Sequence, residues 1–192
     1  MKLTTTKIAL FGTSADPPTK GHKRIIEELS GIFSFVISYA SDNPSKTHKE
    51  DLTNRSLLLK ILIEDMNSSK IIFDQEISSP WAIKSIIKCK LKYNSDNVHF
   101  VIGSDLIEQM FLWRNFNEII KESELFIIPR EGYPINPRIL DSIELNNGKY
   151  FVSSFKVPNI SSSMVRSNNL SSELPKSLVQ IVKSKNLYRN LK

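Results

Sequence analysis

Short apolar runs alternate with longer amphipathic stretches along the 192-residue chain, and polar turns separate them. The apolar runs are rich in Ile, Val and Phe, which favours buried strands, whereas the longer stretches repeat apolar residues at helical spacing. The predicted strands are 8–11, 33–40, 71–73, 98–102, 125–128 and 150–157. Strands that alternate with helices indicate an α/β protein with a Rossmann-like, doubly wound parallel sheet in three α/β/α layers.

The amphipathic stretches predict the helices and their ends. Thr19 opens the first helix, which repeats apolar residues from Ile25 onward. Further helices are predicted over 52–66 with Thr53 as a cap, from Pro80 to about Lys92, around 106–111, up to Ile120, and after the loop 158–166. A terminal helix is expected to pack through Leu178, Ile181 and Val182, with its lysines in water.

The turn between the first strand and the first helix predicts an anion site. A strand that runs directly into a helix leaves free backbone N–H groups, and the positive end of the helix dipole, at one point. Gly21 allows a ligand to approach closely, and His22 in the first helical turn indicates a phosphate undergoing chemistry. Asp16 is expected to shape the turn, because a carboxylate that faced a triphosphate would be repelled unless Mg²⁺ intervened.

The unusual polar clusters of the chain all follow the carboxyl ends of predicted strands. In an open α/β sheet these ends lie along one edge, and ligands bind where the strand order reverses. We therefore expect clusters that are distant in sequence to meet in one cleft. The clusters are residues 12–22, 42–46, 78–81, 103–105, 129–133 and 160–166.

The length and composition are those of an ordinary globular protein. The length suits a single domain, with a Rossmann-like core over about 7–157 and a C-terminal helical part over 158–192. No apolar run approaches the ~20 residues of a membrane span, so no membrane contact is expected. The single cysteine, Cys89, cannot form an internal disulfide, which suits a reducing cytoplasm and predicts a cytoplasmic protein.

The net charge of +6 raises the question of a nucleic-acid partner. Much of the excess, however, follows Glu173 and belongs to the terminal helix that is expected to pack by its apolar face. A basic protein also suits polyphosphate ligands, so we expect no nucleic-acid partner. A homo-oligomer is compatible with the sequence, which does not indicate an oligomeric state.

Two motifs resemble those of a known enzyme superfamily. D-P-P-T-x-G-H at 16–22 resembles the T/H-x-G-H signature of the nucleotidyltransferases, which transfer a nucleotidyl group and release pyrophosphate. I-S-S-S-M-V-R at 160–166 is similar to the I-S-S-T-x-[IV]-R motif that accompanies this signature in adenylyltransferases. Serines at a helix start, with an Arg one turn later, are suitable donors for a polyphosphate.

Further segments resemble the bacterial nicotinate-mononucleotide adenylyltransferases. V-I-G-S-D at 101–105, followed by Trp113 and Glu118, is similar to the family pattern [IV]-I-G-[AS]-D-x(7)-W-x(4)-E. N-P-x-K at 43–46 with Arg55 downstream, and P-R-E-G-Y at 129–133, fit the same family. The likeness covers nearly the whole chain.

The resemblance implies transfer of AMP from ATP to nicotinate mononucleotide, which yields deamido-NAD and pyrophosphate. It implies Mg²⁺ that accompanies ATP, while the sequence shows no cluster with the spacing of a protein metal site. The catalytic residues that it implies are His22, Lys46 and Arg166. The ATP-binding residues that it implies are Gly12, Thr13, Ser14, Ala15, Thr19, His22, Gly103, Asp105, Ile160, Ser161, Ser162, Ser163 and Arg166. Those implied for nicotinate mononucleotide are Asn43, Lys46, Trp81, Ala82, Trp113 and Arg130.

The chain departs from the usual family motif G-G-T-F-D-P-P-H-x-G-H at three positions. Thr13 replaces a Gly, Ala15 replaces a Phe, and Thr19 replaces the first His, which is tolerated across the superfamily. W-A-I from Trp81 stands where Y-T-I is common, which leaves the contacts with the nicotinate carboxylate open.

Three alternatives stay open at this point. The acceptor could be nicotinamide mononucleotide, since one sequence does not settle the group on the pyridine ring. The pantetheine-phosphate adenylyltransferases share D-P-x-T-x-G-H and I-S-S, although they lack the segment from Gly103 to Trp113. A non-catalytic nucleotide-binding or RNA-binding module would keep the fold and the basic surface without turnover.

Overall fold

A computed structural model describes residues 6–157 and 160–189, and within them six parallel strands form one sheet. The strand order is β3-β2-β1-β4-β5-β6, so the order reverses between β1 and β4, as the doubly wound prediction requires. Every neighbouring pair is parallel. The strands are β1 (Ile8–Thr13), β2 (Phe35–Ala40), β3 (Ile71–Phe73), β4 (Val98–Gly103), β5 (Glu124–Ile128) and β6 (Tyr150–Val152).

Helices connect successive strands and cover the sheet. They are α1 (Lys20–Ile32), α2 (Leu52–Asp65), α3 (Ala82–Tyr93), α4 (Ile107–Met110), α5 (Phe116–Glu122), α6 (Pro137–Leu145), α7 (Ser162–Ser167) and α8 (Lys176–Ser184). Short 3₁₀ helices lie at Gln75–Ile77 and Ser171–Glu173. Among the described residues, none of the helices has the length and apolar character needed to cross a membrane.

Both faces of the sheet are buried, which explains why the central strands are continuous apolar runs. Successive strand residues point to opposite faces, so Leu10 packs beneath α3, α4, α5 and α6 while Phe11 packs beneath α1, α2, α7 and α8. Leu125 and Phe126 divide between the two cores in the same way. The predicted three-layer α/β/α architecture is therefore confirmed.

The helix α2 begins at Leu52, the predicted first residue, but its cap differs from the prediction. The carboxylate of Asp51 accepts a hydrogen bond from the backbone N–H of Asn54 at 2.7 Å, which makes Asp51 the N-terminal cap. Thr53 lies inside the first turn, so its prediction as the cap was wrong.

Two elements after β5 differ from the prediction. The strand predicted over 150–157 ends at Val152, because the Ser153 hydroxyl donates to the Phe155 carbonyl at 2.8 Å and forms a local turn. The helix α6 was not predicted, although Asn136 caps it and Pro137 occupies its first turn, both common helix-start signals. Pro158 and Asn159, which the sequence places in a loop, lie outside the described residues.

The predicted terminal helix is confirmed as α8. Its Leu178 and Val182 are buried, and the helix packs against α2. Beyond α8 the chain continues into Leu187 and Tyr188, which are also buried and pack with the same core. The C-terminal segment thus packs into the same core as α1 and α2.

Candidate active site

A cleft of about 630 Å³ opens at the carboxyl ends of β1, β4 and β5, where the strand order reverses. It brings together the polar clusters that are far apart in sequence, as predicted. Of the candidate site residues, Ala15 and Thr19 are fully buried and are not part of its lining. Those that line it are Gly12, Thr13, Ser14, His22, Asn43, Lys46, Trp81, Ala82, Gly103, Asp105, Trp113, Arg130, Ile160, Ser161, Ser162, Ser163 and Arg166.

Thr19 fixes the orientation of His22 at the start of α1. The Thr19 backbone N–H donates to His22 Nδ1 at 3.0 Å, and Thr19 Oγ1 lies 2.8 Å from the same nitrogen. The His22 backbone N–H in turn donates to Thr19 Oγ1 at 3.4 Å, which completes a capping box. Since Nδ1 accepts a backbone proton, the neutral imidazole carries its own proton on Nε2. Nε2 is therefore the hydrogen-bond donor of His22.

The protein around His22 keeps its imidazole neutral. Burial first, and then the positive charges of Arg130 and Lys46, lower the pKa of His22 from 6.5 to about 4. At neutral pH the ring is thus an uncharged donor inside a cluster of cations. A bound polyphosphate would be attracted by those cations and would receive a hydrogen bond from the ring.

Arg130 and Asp105 form a pair at the β4 and β5 edge of the cleft. Arg130 Nη1 donates to Asp105 Oδ2 at 2.8 Å. The buried Arg130 Nε and Asp105 Oδ1 have no hydrogen-bond partner in the described part of the chain. Buried polar atoms are normally paired, so a donor and an acceptor left over in a cleft indicate positions for a ligand. A Cβ at Gly103 would stand 2.3 Å from Asp105 Oδ1, so any other residue here would force the Asp105 carboxylate to shift.

The two motifs at 16–22 and 160–166 meet directly. Ser161 caps α7, and the Ser162 hydroxyl donates to the Pro17 carbonyl at 2.8 Å across 145 positions of sequence. Arg166 Nη1 donates to the Asp16 carbonyl oxygen and lies 3.3 Å from the Asp16 carboxylate. These contacts place Arg166 on the same side of the cleft as the turn that leads to His22.

The loop after β2 carries Lys46 to the outer part of the cleft. Asn43 Oδ1 accepts a hydrogen bond from the Ser45 N–H at 2.9 Å, which forms a tight turn, and Lys46 follows it on the exposed side. Arg55 anchors this loop from below, since its buried guanidinium donates to the Ser14 and Ser41 carbonyls at 2.7 and 2.9 Å. The loops after β1 and β2 are thereby held together.

Aromatic side chains also line the cleft. Trp113 packs edge-on against Phe100 with the ring centroids 6.3 Å apart, and Trp81 precedes α3. The exposed guanidinium of Arg114 lies 5.0 Å from the centroid of the Trp81 ring, a cation–π contact. Sequence reasoning did not select Arg114, although a cation directly after Trp113 was a visible signal.

Comparison with known proteins places this geometry in a family. Residues 10–168 match the family described as Cytidylyltransferase-like. A protein of Synechocystis sp. (strain ATCC 27184 / PCC 6803 / Kazusa), named probable nicotinate-nucleotide adenylyltransferase, is 32% identical over 95% of this chain and 99% of its own. This chain belongs to the nicotinate-nucleotide adenylyltransferase family.

Other members of the family agree with this membership. A nicotinate-nucleotide adenylyltransferase of Bacillus subtilis (strain 168) is 27% identical over 67% of this chain and 72% of its own. The solved structure of Plasmodium falciparum nicotinic acid mononucleotide adenylyltransferase complexed with NaAD has a TM-score of 0.78 at 21% identity. It covers 96% of this chain and 98% of its own length, which confirms the predicted Rossmann-like nucleotidyltransferase fold.

The structure accounts for this family member's departures from the usual motif. The Thr13 hydroxyl accepts a hydrogen bond from the Ala15 N–H at 3.3 Å and so helps to shape the loop. Ala15 adopts a left-handed backbone conformation with φ of 48° and buries its methyl group away from the cleft. Thr19 caps the helix and contacts His22 Nδ1. Its predicted contact with ATP stays a prediction, and its side chain contacts a catalytic candidate.

Proposed function

We propose that this protein transfers AMP from ATP to nicotinate mononucleotide and releases deamido-NAD and pyrophosphate, a step of NAD biosynthesis. The observation that carries the proposal is the meeting of Ser162 and Arg166 with the 16–17 turn beside His22, in a cleft at the switch point of the sheet. Family membership supports the same reaction. No alternative acceptor is favoured by a contact in the cleft.

The reaction requires the acceptor phosphate to attack the α-phosphorus of ATP in line with the departing group. A new oxygen–phosphorus bond forms as the bond between the α-phosphorus and its bridging oxygen to the β-phosphate breaks, and both electrons leave with pyrophosphate. The nucleophile is already an anion, so the protein needs neither a general base nor a covalent intermediate. Catalysis then consists of positioning the reactants and stabilising charge.

The residues of the cleft suit these tasks. In this mechanism His22 donates from Nε2 to the transferring phosphate, and Arg166 stabilises the departing pyrophosphate. Lys46 supplies a further positive charge from the loop after β2. Asp105 Oδ1, which has no hydrogen-bond partner among the described residues, is the proposed acceptor for a ribose hydroxyl. Because the attacking phosphate is already an anion, no side chain has to move a proton in the chemical step.

Magnesium enters this proposal with ATP as part of the substrate complex. In the described ranges, no three side chains of His, Cys, Asp or Glu are grouped so as to hold a metal ion. We infer that the phosphate oxygens of ATP supply most of the ligands of the ion, which is common for Mg²⁺.

The aromatic end of the cleft supports nicotinate as the acceptor base. Trp81 and Trp113 offer flat apolar surfaces for a pyridine ring, and Arg114 places a permanent positive charge at 5.0 Å from the Trp81 ring. A carboxylate gains from that charge, whereas the neutral amide of nicotinamide gains less. The structure therefore favours nicotinate mononucleotide over its amide.

Pyrophosphate release from Mg·ATP tests the proposal with nicotinate mononucleotide, nicotinamide mononucleotide and phosphopantetheine as acceptors. We expect a clear preference for nicotinate mononucleotide. In His22→Ala, kcat should fall by about 10²- to 10³-fold, as it does when one donor to a developing charge is removed. Lys23→Ala is the matched control, because Lys23 lies on the same helix, does not line the cleft and pairs with Glu27 at 3.9 Å. A folded sample that binds ATP and releases no pyrophosphate with any acceptor would contradict the proposal.

A further inference from the structure

The buried carboxylate of Asp16 connects four segments that are distant in sequence. It is 2% exposed and accepts hydrogen bonds from the backbone N–H groups of Lys49 and Glu50 at 2.7 and 3.2 Å. The Tyr188 hydroxyl donates to its Oδ1 at 2.9 Å, and Arg166 Nη1 lies 3.3 Å from its Oδ2. We call these five residues the Asp16 network. Asp16 therefore joins the turn that leads to His22 to three other segments, and it contacts a catalytic candidate.

Tyr188 is held in this network by more than one contact. Its side chain is 3% exposed, and its backbone N–H donates to Glu50 Oε1 at 3.1 Å. Its backbone is left-handed with φ of 48°, a conformation that a bulky residue adopts only when the surrounding structure requires it. Burial first, and then the neighbouring Asp16 charge, raise the pKa of the Tyr188 hydroxyl well above its usual range. Tyr188 is therefore protonated, and a hydrogen-bond donor, at every physiological pH.

The Asp16 network holds one nitrogen of the Arg166 guanidinium. Asp16 contacts Nη1 of the guanidinium through both its carbonyl and its carboxylate oxygens. A guanidinium carries five N–H donors in a rigid planar fork, so fixing one nitrogen fixes the direction of the others. Arg166 lines the cleft, and the Asp16 carboxylate is one of the groups that contact its guanidinium.

We propose that Tyr188 is a positioning residue of the active site, which orients Arg166 toward the departing pyrophosphate by holding the Asp16 carboxylate. The segment that follows α8 is then a working part of the site, although it lies 172 positions from Asp16. This inference rests on the proposed adenylyl transfer for its catalytic readout. Its structural content, the control of an anion contact by Tyr188, does not depend on the identity of the acceptor.

Tyr188→Phe tests the inference because it removes the hydroxyl and keeps the buried ring. The free energy of a buried hydrogen bond to a charged group typically corresponds to a factor of about ten or more in an equilibrium or rate constant. We therefore expect kcat to fall about tenfold. KM for nicotinate mononucleotide should change by less than about twofold, since the proposed role of Arg166 is to stabilise the departing pyrophosphate and not to bind the acceptor. The change is thus expected in the step that Arg166 assists.

Tyr93→Phe is the matched control. The Tyr93 hydroxyl donates to the carboxylate of Asp74 at 2.9 Å, the same chemistry at the same length, and neither residue lines the cleft. Both variants should lose some thermal stability, but only Tyr188→Phe should lower kcat. Equal loss of kcat in the two variants would mean a general structural effect and would overturn the inference, as would unchanged kcat in Tyr188→Phe.

A double-mutant cycle identifies the residue through which Tyr188 acts. If Tyr188 works through Arg166, Tyr188→Phe should lower kcat by less than about twofold in an Arg166→Lys background, because contacting residues are not additive. Multiplicative effects would overturn the assigned route. If the wild-type protein shows no turnover, the proposed function fails and pyrophosphate binding measured by calorimetry decides the inference. Binding weakened at least about fivefold in Tyr188→Phe, with Tyr93→Phe unchanged, supports it, and equal affinities overturn it.

Discussion

The low pKa of His22 gives the stability of this protein a pH dependence whose sign can be worked out. In the unfolded chain His22 titrates near 6.5, and in the folded protein near 4. Between these values the unfolded state binds more protons, so the free energy of unfolding decreases as the pH falls from about 6.5 to about 4. At about 1.4 kcal/mol for each pH unit, the lowered pKa of His22 contributes about 3 kcal/mol above pH 6.5 that is lost near pH 4.

His22→Gln isolates this contribution. Glutamine at the third helical position retains the capping box but does not titrate, so the helix start stays intact. His48 and His99 also have lowered pKa values, mainly because of burial, and they add a dependence of the same sign in both proteins. We therefore expect the wild type to lose up to about 3 kcal/mol relative to the variant between pH 7 and pH 4, measured by urea unfolding at each pH.

A direct titration provides the second measurement. The imidazole proton signals of His22, assigned by comparison with His22→Gln, should titrate below pH 5 in the free protein. Addition of Mg·ATP should raise that pKa, because a bound polyphosphate favours the protonated ring. Two results would refute the reasoning about the surroundings of His22. One is a difference in the free energy of unfolding between wild type and His22→Gln that stays constant across this pH range. The other is a His22 signal that titrates near 6.5 in the free protein.

Two further substitutions test the proposed acceptor site beside Trp81 and the proposed ATP site beside Asp105. Arg114→Gln should lower kcat/KM for nicotinate mononucleotide by about tenfold and leave that for nicotinamide mononucleotide nearly unchanged, because only the carboxylate loses a favourable charge. Equal losses for both acceptors would contradict a role in selectivity, and Arg24→Gln, on an exposed face of α1, is the charge-matched control. Gly103→Ala should raise KM for ATP several-fold, since its Cβ would stand 2.3 Å from Asp105 Oδ1 and displace the Asp105–Arg130 pair. Unchanged ATP affinity, with Gly31→Ala as control, would remove Gly103 and Asp105 from the ATP site.

The fold could be predicted because its signals are local. A central parallel strand is buried on both faces and reads as an apolar run, as at Ile8–Thr13 and Glu124–Ile128. In α6, Ile139, Leu140 and Ile143 stand at helical spacing and pack against the core, although Leu145 is 83% exposed. The apolar pattern and the cap, Asn136, were therefore both present in the sequence, and the helix was missed.

The candidate site could be predicted for a topological reason. The carboxyl ends of parallel strands meet at one edge, so polar residues that follow strands must lie near one another. His22, Asp105 and Arg166 therefore converge on one cleft although they come from three separate segments. What the pattern could not show is the direction of each side chain. The motif implied that Thr19 binds ATP, whereas its hydrogen bonds with His22 Nδ1 can be seen only in the structure.

The support behind the cleft lay beyond sequence reasoning, because its contacts have no local pattern. Tyr188 follows α8 and shows no periodic or motif signal. Its hydroxyl nevertheless donates to the carboxylate of Asp16, in the loop between β1 and α1. Arg55 fits the family pattern in sequence, but that its guanidinium joins two loops is visible only in the structure. The residues that contact a ligand must follow strand ends, whereas those that hold them can come from any buried position. A motif therefore identifies the chemistry of such a site, and the contacts made by Tyr188 and Arg55 must be read from the fold.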